Sequence, residues 1–154
     1  MEQQFVVMAV GQEKYGASVT QVLSIEKPME ITRVPRTVAF IKGVVNLRGT
    51  IVPVVDLGER LGLASSLQQD DSRIVIVQVE DMMVGMIVDA VTDVVTLADS
   101  DIQPAPSMVG GLSAEFLQGI AEHQKQVLIL LHLPRLFNHA EQLQLKELRE
   151  QEER

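Results

Sequence analysis

The sequence predicts a mainly β protein built from two related five-stranded units. Short runs rich in Val and Ile are separated by Gly, Pro and Asp, and the pattern of the first half recurs in the second. Such runs are typical of strands in small sandwiches and barrels, and closure into a barrel removes exposed strand edges. We therefore expect a pair of small β-barrels with short helices and a C-terminal helix.

The internal repeat relates three pairs of segments in the same order along both halves. The pairs are Phe5–Gly16 with Ile74–Gly85, Phe40–Val44 with Phe116–Ile120, and Ile51–Leu57 with Val127–Leu133. The first pair is offset by 69 residues and the other two by 76, as expected if intervening loops differ in length. Few positions are identical, but the shared order indicates a duplication.

Ten runs are predicted as strands. They are 4–10, 14–18, 23–27, 43–48 and 50–55 in the first half, and 73–79, 82–88, 93–97, 117–122 and 126–132 in the second. The predicted organisation is a single domain over 1–154. It comprises a first subdomain at about 1–68 and a second at about 69–138, between which terminal strands can exchange.

Helices are predicted after the last strand of each half. Leu57–Leu63 and Leu133–Asn138 are expected to form short helices at equivalent positions. Residues 139–154 contain strong helix formers and an apolar stripe at Ala140, Leu143 and Leu148. We expect a C-terminal helix that packs at its start and frays at its end.

Composition excludes several classes of protein. The net charge of −8 argues against a general nucleic-acid binder, and the absence of cysteine excludes disulfide scaffolds and cysteine-based metal sites. No apolar run approaches the about 20 residues that cross a bilayer, and no basic segment precedes the first apolar run. We therefore expect a cytoplasmic protein without direct membrane insertion.

Motifs for catalysis are also missing from the sequence. The three histidines form no HExxH pattern, and the glycines form neither a dinucleotide-binding nor a P-loop motif. No nucleophile, metal or cofactor site is predicted, so we expect no enzyme. A small-ligand-binding β-barrel remains the alternative from a different class.

The segment Asn46–Gly49 interrupts the repeat, because Glu122–Lys125 replaces it in the second half. Gly49 suits a tight turn with positive φ, which would place Arg48 at a hairpin tip. The guanidinium there could offer five fixed donors to a carboxylate or a backbone carbonyl. The basic residues Arg33, Arg36 and Lys42 favour a binding role over that of a solvated surface arginine.

A second candidate feature is aliphatic. Val19, Val22 and Ile25 recur every third residue, which fits one helical turn between strands, with Ser18 and Gln21 as a capping box. Such a stripe can be core. Alternatively, it can line an apolar groove between the barrels, opposite Val91, that accepts an amphipathic helix.

The segment FIKGVVNLRGTIVPVVDL (40–57) closely resembles the signature of the CheW-like family of bacterial chemotaxis coupling proteins. Val84–Val94, Ile102–Pro106 and Val127–Leu131 continue the resemblance, which covers about residues 4–138. It implies two SH3-like five-stranded barrels and an adaptor without catalysis. The implied partners are the cytoplasmic tip of methyl-accepting chemoreceptors, the regulatory domain of the kinase CheA and further copies of the adaptor in arrays.

Mapped by motif, the resemblance makes Arg48 the receptor-binding arginine, with Asn46 beside it. It assigns the hydrophobic receptor groove to Val19, Val22, Ile25 and Val91, whereas the kinase-binding residues remain unknown. It further implies recruitment to receptor arrays at the inner face of the membrane. A scaffold in a chemosensory pathway other than swimming remains open.

Overall fold

The computed structural model describes residues 1–35, 37–63, 71–109 and 112–152. The chain is mainly β, as predicted. Its strands are β1 (Glu2–Val10), β2 (Glu13–Ser18), β3 (Val22–Glu26), β4 (Ile41–Leu47), β5 (Thr50–Asp56), β6 (Arg73–Val79), β7 (Met82–Val88), β8 (Ala90–Ala98), β9 (Met108–Val109), β10 (Leu112–Ser113), β11 (Leu117–His123) and β12 (Gln126–Leu131). Each of the ten predicted strands is present, and the two-residue strands β9 and β10 are additional.

The strands form two five-stranded sheets that exchange hairpins between the halves. The first sheet has the order β3-β6-β7-β5-β4 and the second has the order β11-β12-β2-β1-β8. The β1–β2 hairpin therefore lies in the sheet of the second half, and the β6–β7 hairpin in that of the first. Each sheet thus combines strands from both sides of residue 68. The division into subdomains at about 1–68 and 69–138, with exchange of terminal strands, stays a prediction.

The exchange preserves the repeat. Parallel pairing joins β5 to β7 with Val54 opposite Gly85, and joins β12 to β2 with Leu130 opposite Gly16. A Cβ at either glycine would lie within 3.0 Å of a leucine or isoleucine side chain. Glycine at these equivalent positions therefore lets apolar side chains pack directly on the backbone.

Burial on both faces explains the continuous apolar runs. In β6, Val75 and Val77 pack in a central core between the sheets, whereas Ile74 and Ile76 pack in a core that belongs to the first sheet. The second sheet has its own core around Phe5 and other apolar side chains. Each fully buried aliphatic side chain contributes about 1.5–3 kcal/mol, so an aliphatic interior with few aromatics is sufficient.

The helices include both predicted short elements. They are α1 (Leu57–Arg60), α2 (Leu133–Leu136) and α3 (His139–Glu152). Asp56 caps α1, and its carboxylate accepts a hydrogen bond from the Glu59 N–H at 3.1 Å. None of the helices in the described ranges is long and apolar enough to cross a membrane.

Two predictions about helical details are wrong. Of the predicted stripe Ala140, Leu143 and Leu148, only Leu148 is buried; Ala140 and Leu143 are exposed, and Leu145 is the other buried leucine of α3. The 3-10 turn at 19–21 is present, but the predicted capping box is not, because the Ser18 side chain makes no cap hydrogen bond. The Ser18 Oγ instead lies 2.9 Å from the Thr20 Oγ1. Residues 153–154 of the predicted helix lie outside the described residues.

The terminal helix α3 returns to the first sheet and packs against β5 and β4. A reciprocal capping box starts it, in which Asn138 and Glu141 exchange two hydrogen bonds of 2.8 Å. Arg60 supports this junction: its Nε donates to the Leu136 carbonyl at 2.9 Å, and Nη2 lies 3.8 Å from Glu141 Oε1.

Candidate functional site

The tip of the β4–β5 hairpin presents Arg48 as predicted. Leu47 pairs with Thr50, so Arg48 and Gly49 form a two-residue turn, with φ of 50° and 90°. Positive φ at both positions is the geometry of the type I′ turn that closes tight hairpins. Asn46 Oδ1 accepts a hydrogen bond of 2.7 Å from the Gly49 N–H and so fixes the turn.

Glu26 holds the arginine at this tip. Nη2 of Arg48 lies 3.2 Å from Oε1 and 3.5 Å from Oε2 of Glu26, the last residue of β3. The Arg48 side chain remains 73% exposed, whereas that of Glu26 is only 13% exposed. The carboxylate of Glu26 therefore orients the guanidinium, while most of the Arg48 side chain faces solvent. Sequence reasoning missed Glu26, and an acidic residue at the end of an apolar run was its only signal.

The structure describes two of the three basic residues named with Arg48, which are Lys42 and Arg33. Lys42 stands near the start of β4, about 20 Å along the strand from the hairpin tip. It pairs with Glu59, with 2.6 Å between Nζ and Oε2. Arg33 is exposed in the loop between β3 and β4, and Arg36 lies outside the described residues. Among the described residues, the acidic Glu26 is thus the side chain that positions Arg48.

The four aliphatic candidates divide into two groups. Val19, Val22 and Val91 are half-buried and pack against the central core between the sheets. Ile25 is 43% exposed, and Leu23 on the same edge strand is 50% exposed. The structure therefore associates three of the candidates with one core and places Ile25 on the open surface of β3.

Strands at the sheet edges carry exposed apolar residues that sequence reasoning did not select. Leu23 lies on β3, an edge of the first sheet, and Val94 lies on β8, an edge of the second, where it is 53% exposed. An exposed apolar edge strand is suited to pairing or packing with another chain. Period-2 alternation along an edge strand could have identified Leu23.

The second sheet contains a related contact with different chemistry. Nε2 of His123, at the end of β11, lies 3.3 Å from Oδ2 of Asp93 in β8. Strands β11 and β8 are the opposite edges of this sheet, as β4 and β3 are of the first. Within the described ranges, no group of three or more His, Asp or Glu side chains could hold a metal ion.

Comparison with known proteins gives a consistent result. The chain matches the family described as "CheW-like domain" over residues 4–141. It is 39% identical to the chemotaxis protein CheW of Bacillus subtilis, over 84% of this chain and 83% of that one. It is 33% identical to the chemotaxis protein CheW of Klebsiella aerogenes, over 90% and 84%.

A crystal structure of the scaffolding protein TtCheW from Thermoanaerobacter tengcongensis superposes on this chain with a TM-score of 0.83 and 36% identity. The match covers 92% of this chain and 91% of that one. It confirms the predicted pair of SH3-like β-barrels, one for each five-stranded sheet.

Proposed function

This chain belongs to the CheW-like domain family, and from that membership we propose that it is a non-catalytic adaptor of bacterial chemotaxis signalling. It couples methyl-accepting chemoreceptors to the histidine kinase CheA and helps to assemble receptor–kinase arrays. The observation that carries the proposal is the exposed Arg48, which lies in the segment that gives the family resemblance and is held in place by Asn46 and by Glu26 of β3.

Arg48 is the proposed receptor contact. Both of its contacts with Glu26 use Nη2, so the guanidinium can present its Nη1 and Nε hydrogens to a partner. A planar guanidinium recognises carboxylates and backbone carbonyls in a defined orientation. A carboxylate on the receptor tip would compete with or share the Glu26 contact, and Asn46 would act by holding the turn.

Val19, Val22, Ile25 and Val91 are the proposed apolar part of the receptor site. The receptor tip is a helical hairpin, and amphipathic helices commonly dock their apolar face in a groove. The half-buried positions of Val19, Val22 and Val91 support a groove floor that continues the central core. The exposed Ile25 would then contribute at the rim.

The regulatory domain of CheA is the proposed second partner, through a contact of barrel against barrel. The exposed strand edges β3 and β8 are suitable surfaces, because Leu23 and Val94 present apolar side chains there. Copies of the adaptor could meet through the same edges. These contacts would place the protein in arrays at the inner face of the membrane.

The test is co-sedimentation of the full chain with receptor-containing membranes, with and without CheA. The chain should sediment with the receptors alone, and CheA should sediment with them only when the chain is present. A known coupling protein of the family serves as the positive control. If that control forms the ternary complex under conditions where this chain does not, the proposal fails.

A further inference from the structure

The β11–β12 hairpin has an apolar face that points away from the core of its own sheet. The equivalent face in the first half is covered. Thr32 bridges to Val44 in the first half, and Gln103 bridges to Ile120 in the second. In the internal repeat, Val44 therefore corresponds to Ile120, and Ile51 corresponds to Val127. The outer residues of the two hairpins can therefore be compared position by position. We call the surface around Ile120 and Val127 the β11–β12 face.

In the first half, α3 covers this surface. The helix packs against β5 and β4, and its buried Leu145 and Leu148 share one core with Val44, against which Ile51 is half-buried. Lys146 Nζ lies 3.3 Å from Oδ1 of Asp81, in the turn that leads into β7. The covering element is thus an amphipathic helix with two apolar contacts three residues apart and a charged contact beside them.

In the second half the same surface is open. Val44 is only 2% exposed, whereas its counterpart Ile120 is half-buried, and Ile51 is half-buried, whereas its counterpart Val127 is 49% exposed. A solvent-open cavity of about 320 Å³ lies here, between Ile120 and Val127 on its apolar side and Glu122 and Lys125 on its polar side. The β11–β12 face therefore combines an apolar floor with a rim that carries both signs of charge.

The turn beside the cavity is strained. Gln124 and Lys125 have φ of 52° and 65°, although neither is glycine. L-residues other than glycine rarely adopt this left-handed conformation, and such strain concentrates at functional sites. The equivalent turn of the first half places glycine at its second position. The strained turn holds Lys125 at the rim of the cavity.

We propose that the β11–β12 face is a docking site for an amphipathic helix of a partner protein. Helix α3, which covers the equivalent face of the first half, indicates the properties of the helix that would bind here. It presents two apolar side chains at i and i+3, as Leu145 and Leu148 do, and it carries basic and acidic residues that meet Glu122 and Lys125. This site is separate from Arg48, which stands on the other barrel.

The experiment uses nuclear magnetic resonance of the ¹⁵N-labelled full chain. The probe is a synthetic peptide with the sequence of residues 138–152, held helical by a lactam bridge on its polar face. Saturable shifts are expected at the amides of Ile120, Val127 and their neighbours. Val127→Asp should raise the dissociation constant about tenfold or more, because the charge would be buried under the helix.

Matched controls separate the site from non-specific contact. Leu143→Asp changes an equally exposed leucine outside the face and should leave peptide binding unchanged. A bridged peptide with Leu145 and Leu148 replaced by alanine should not bind. Circular dichroism of both chain variants checks that they remain folded.

Three results would overturn the inference. One is the absence of saturable shifts with the bridged peptide, and another is a set of shifts centred on β4 and β5, which means that the peptide displaces α3. The third is self-association of the chain that Val127→Asp abolishes, which assigns the face to a second copy. The experiment needs neither receptor nor kinase, so its outcome is independent of the proposed adaptor function.

Discussion

Arg48 and Glu26 join opposite edges of one five-stranded sheet, with 3.2 Å between Nη2 and Oε1. The pair shows that the sheet curls until the β4–β5 turn meets the end of β3. An ion pair with one partner 73% exposed contributes only about 0–1 kcal/mol to stability. Its main effect is therefore to orient the arginine, which makes recognition the property most sensitive to mutation.

Arg48→Glu should weaken binding to receptor-containing membranes by about tenfold or more, because it removes the donor and places two carboxylates together. The thermal midpoint should fall by only a few degrees, since the lost pair is weak. Co-sedimentation and thermal denaturation measure the two effects. Lys27→Glu makes the same charge change at a nearby exposed position and should bind normally. Equal receptor binding by Arg48→Glu would remove this residue from the site.

Asn46→Ala should lower the free energy of unfolding by about 1 kcal/mol, because the Gly49 N–H loses its acceptor. It should also reduce receptor binding, since the turn would no longer hold Arg48 in place. Urea denaturation and co-sedimentation report these changes. Asn46→Asp keeps the acceptor oxygen and should retain most of the stability. A stable Asn46→Ala variant with full binding would contradict the positioning role.

Gly43→Ala should lower the free energy of unfolding by about 3 kcal/mol or more. Gly43 has φ of 142°, and an added Cβ would overlap the carbonyl oxygen of Thr32, which cannot withdraw because it accepts the Val44 N–H at 2.9 Å. Gly62→Ala is the control: φ is 80° there, but no atom lies within 4 Å of the added Cβ. Its cost should be about 1 kcal/mol. Equal losses in urea denaturation would show that the Thr32 contact can relax.

Local patterns predicted the strands but not their partners. Period and composition mark β5 and β7 as strands, yet their parallel pairing depends on contacts between distant segments that no local pattern encodes. The same limit applies to Glu26, whose role depends on closure of the sheet. In α3 the sequence offers leucines at 143, 145 and 148, and only the packing of the helix against β5 and β4 decides that 145 and 148 are buried.

Arg60→Lys should destabilise the protein by about 1–3 kcal/mol. The guanidinium carbon lies 5.4 Å from the ring centre of Phe40 and 5.0 Å from that of Phe116, which are equivalent residues of the two repeats. Lysine would lose the planar stacking and the Nε bond to the Leu136 carbonyl. Urea denaturation measures the loss. Arg135→Lys, at an exposed position of α2, should have almost no effect on the free energy of unfolding. A similar loss of stability in both variants would show that the contacts of Arg60 do not stabilise the fold.

The alkaline limit of stability should depend on Tyr15. Burial raises the pKa of Tyr15 to about 12, and the nearby charge of Glu13 adds to the effect. The folded value exceeds the ordinary value of 10.0, so the contribution of Tyr15 to stability is complete below pH 10 and is lost as the pH rises towards 12. Because the chain has one tyrosine and no tryptophan, absorbance at 295 nm reports this hydroxyl alone. The native protein should show little tyrosinate at pH 11, whereas the urea-unfolded chain should be mostly ionised.

Tyr15→Phe tests whether this ionisation limits stability. The Tyr15 hydroxyl is buried without a hydrogen-bond partner in the described part of the chain, so its removal at pH 7 should change the free energy of unfolding by about 1 kcal/mol or less. Between pH 10 and 12 the wild type should lose up to about 2–3 kcal/mol more than Tyr15→Phe, since each unit of pKa difference corresponds to about 1.4 kcal/mol. Lysine ionisation affects both proteins equally and cancels in the difference. Parallel loss of stability in the two proteins across this range would show that Tyr15 ionises without penalty and would contradict its burial.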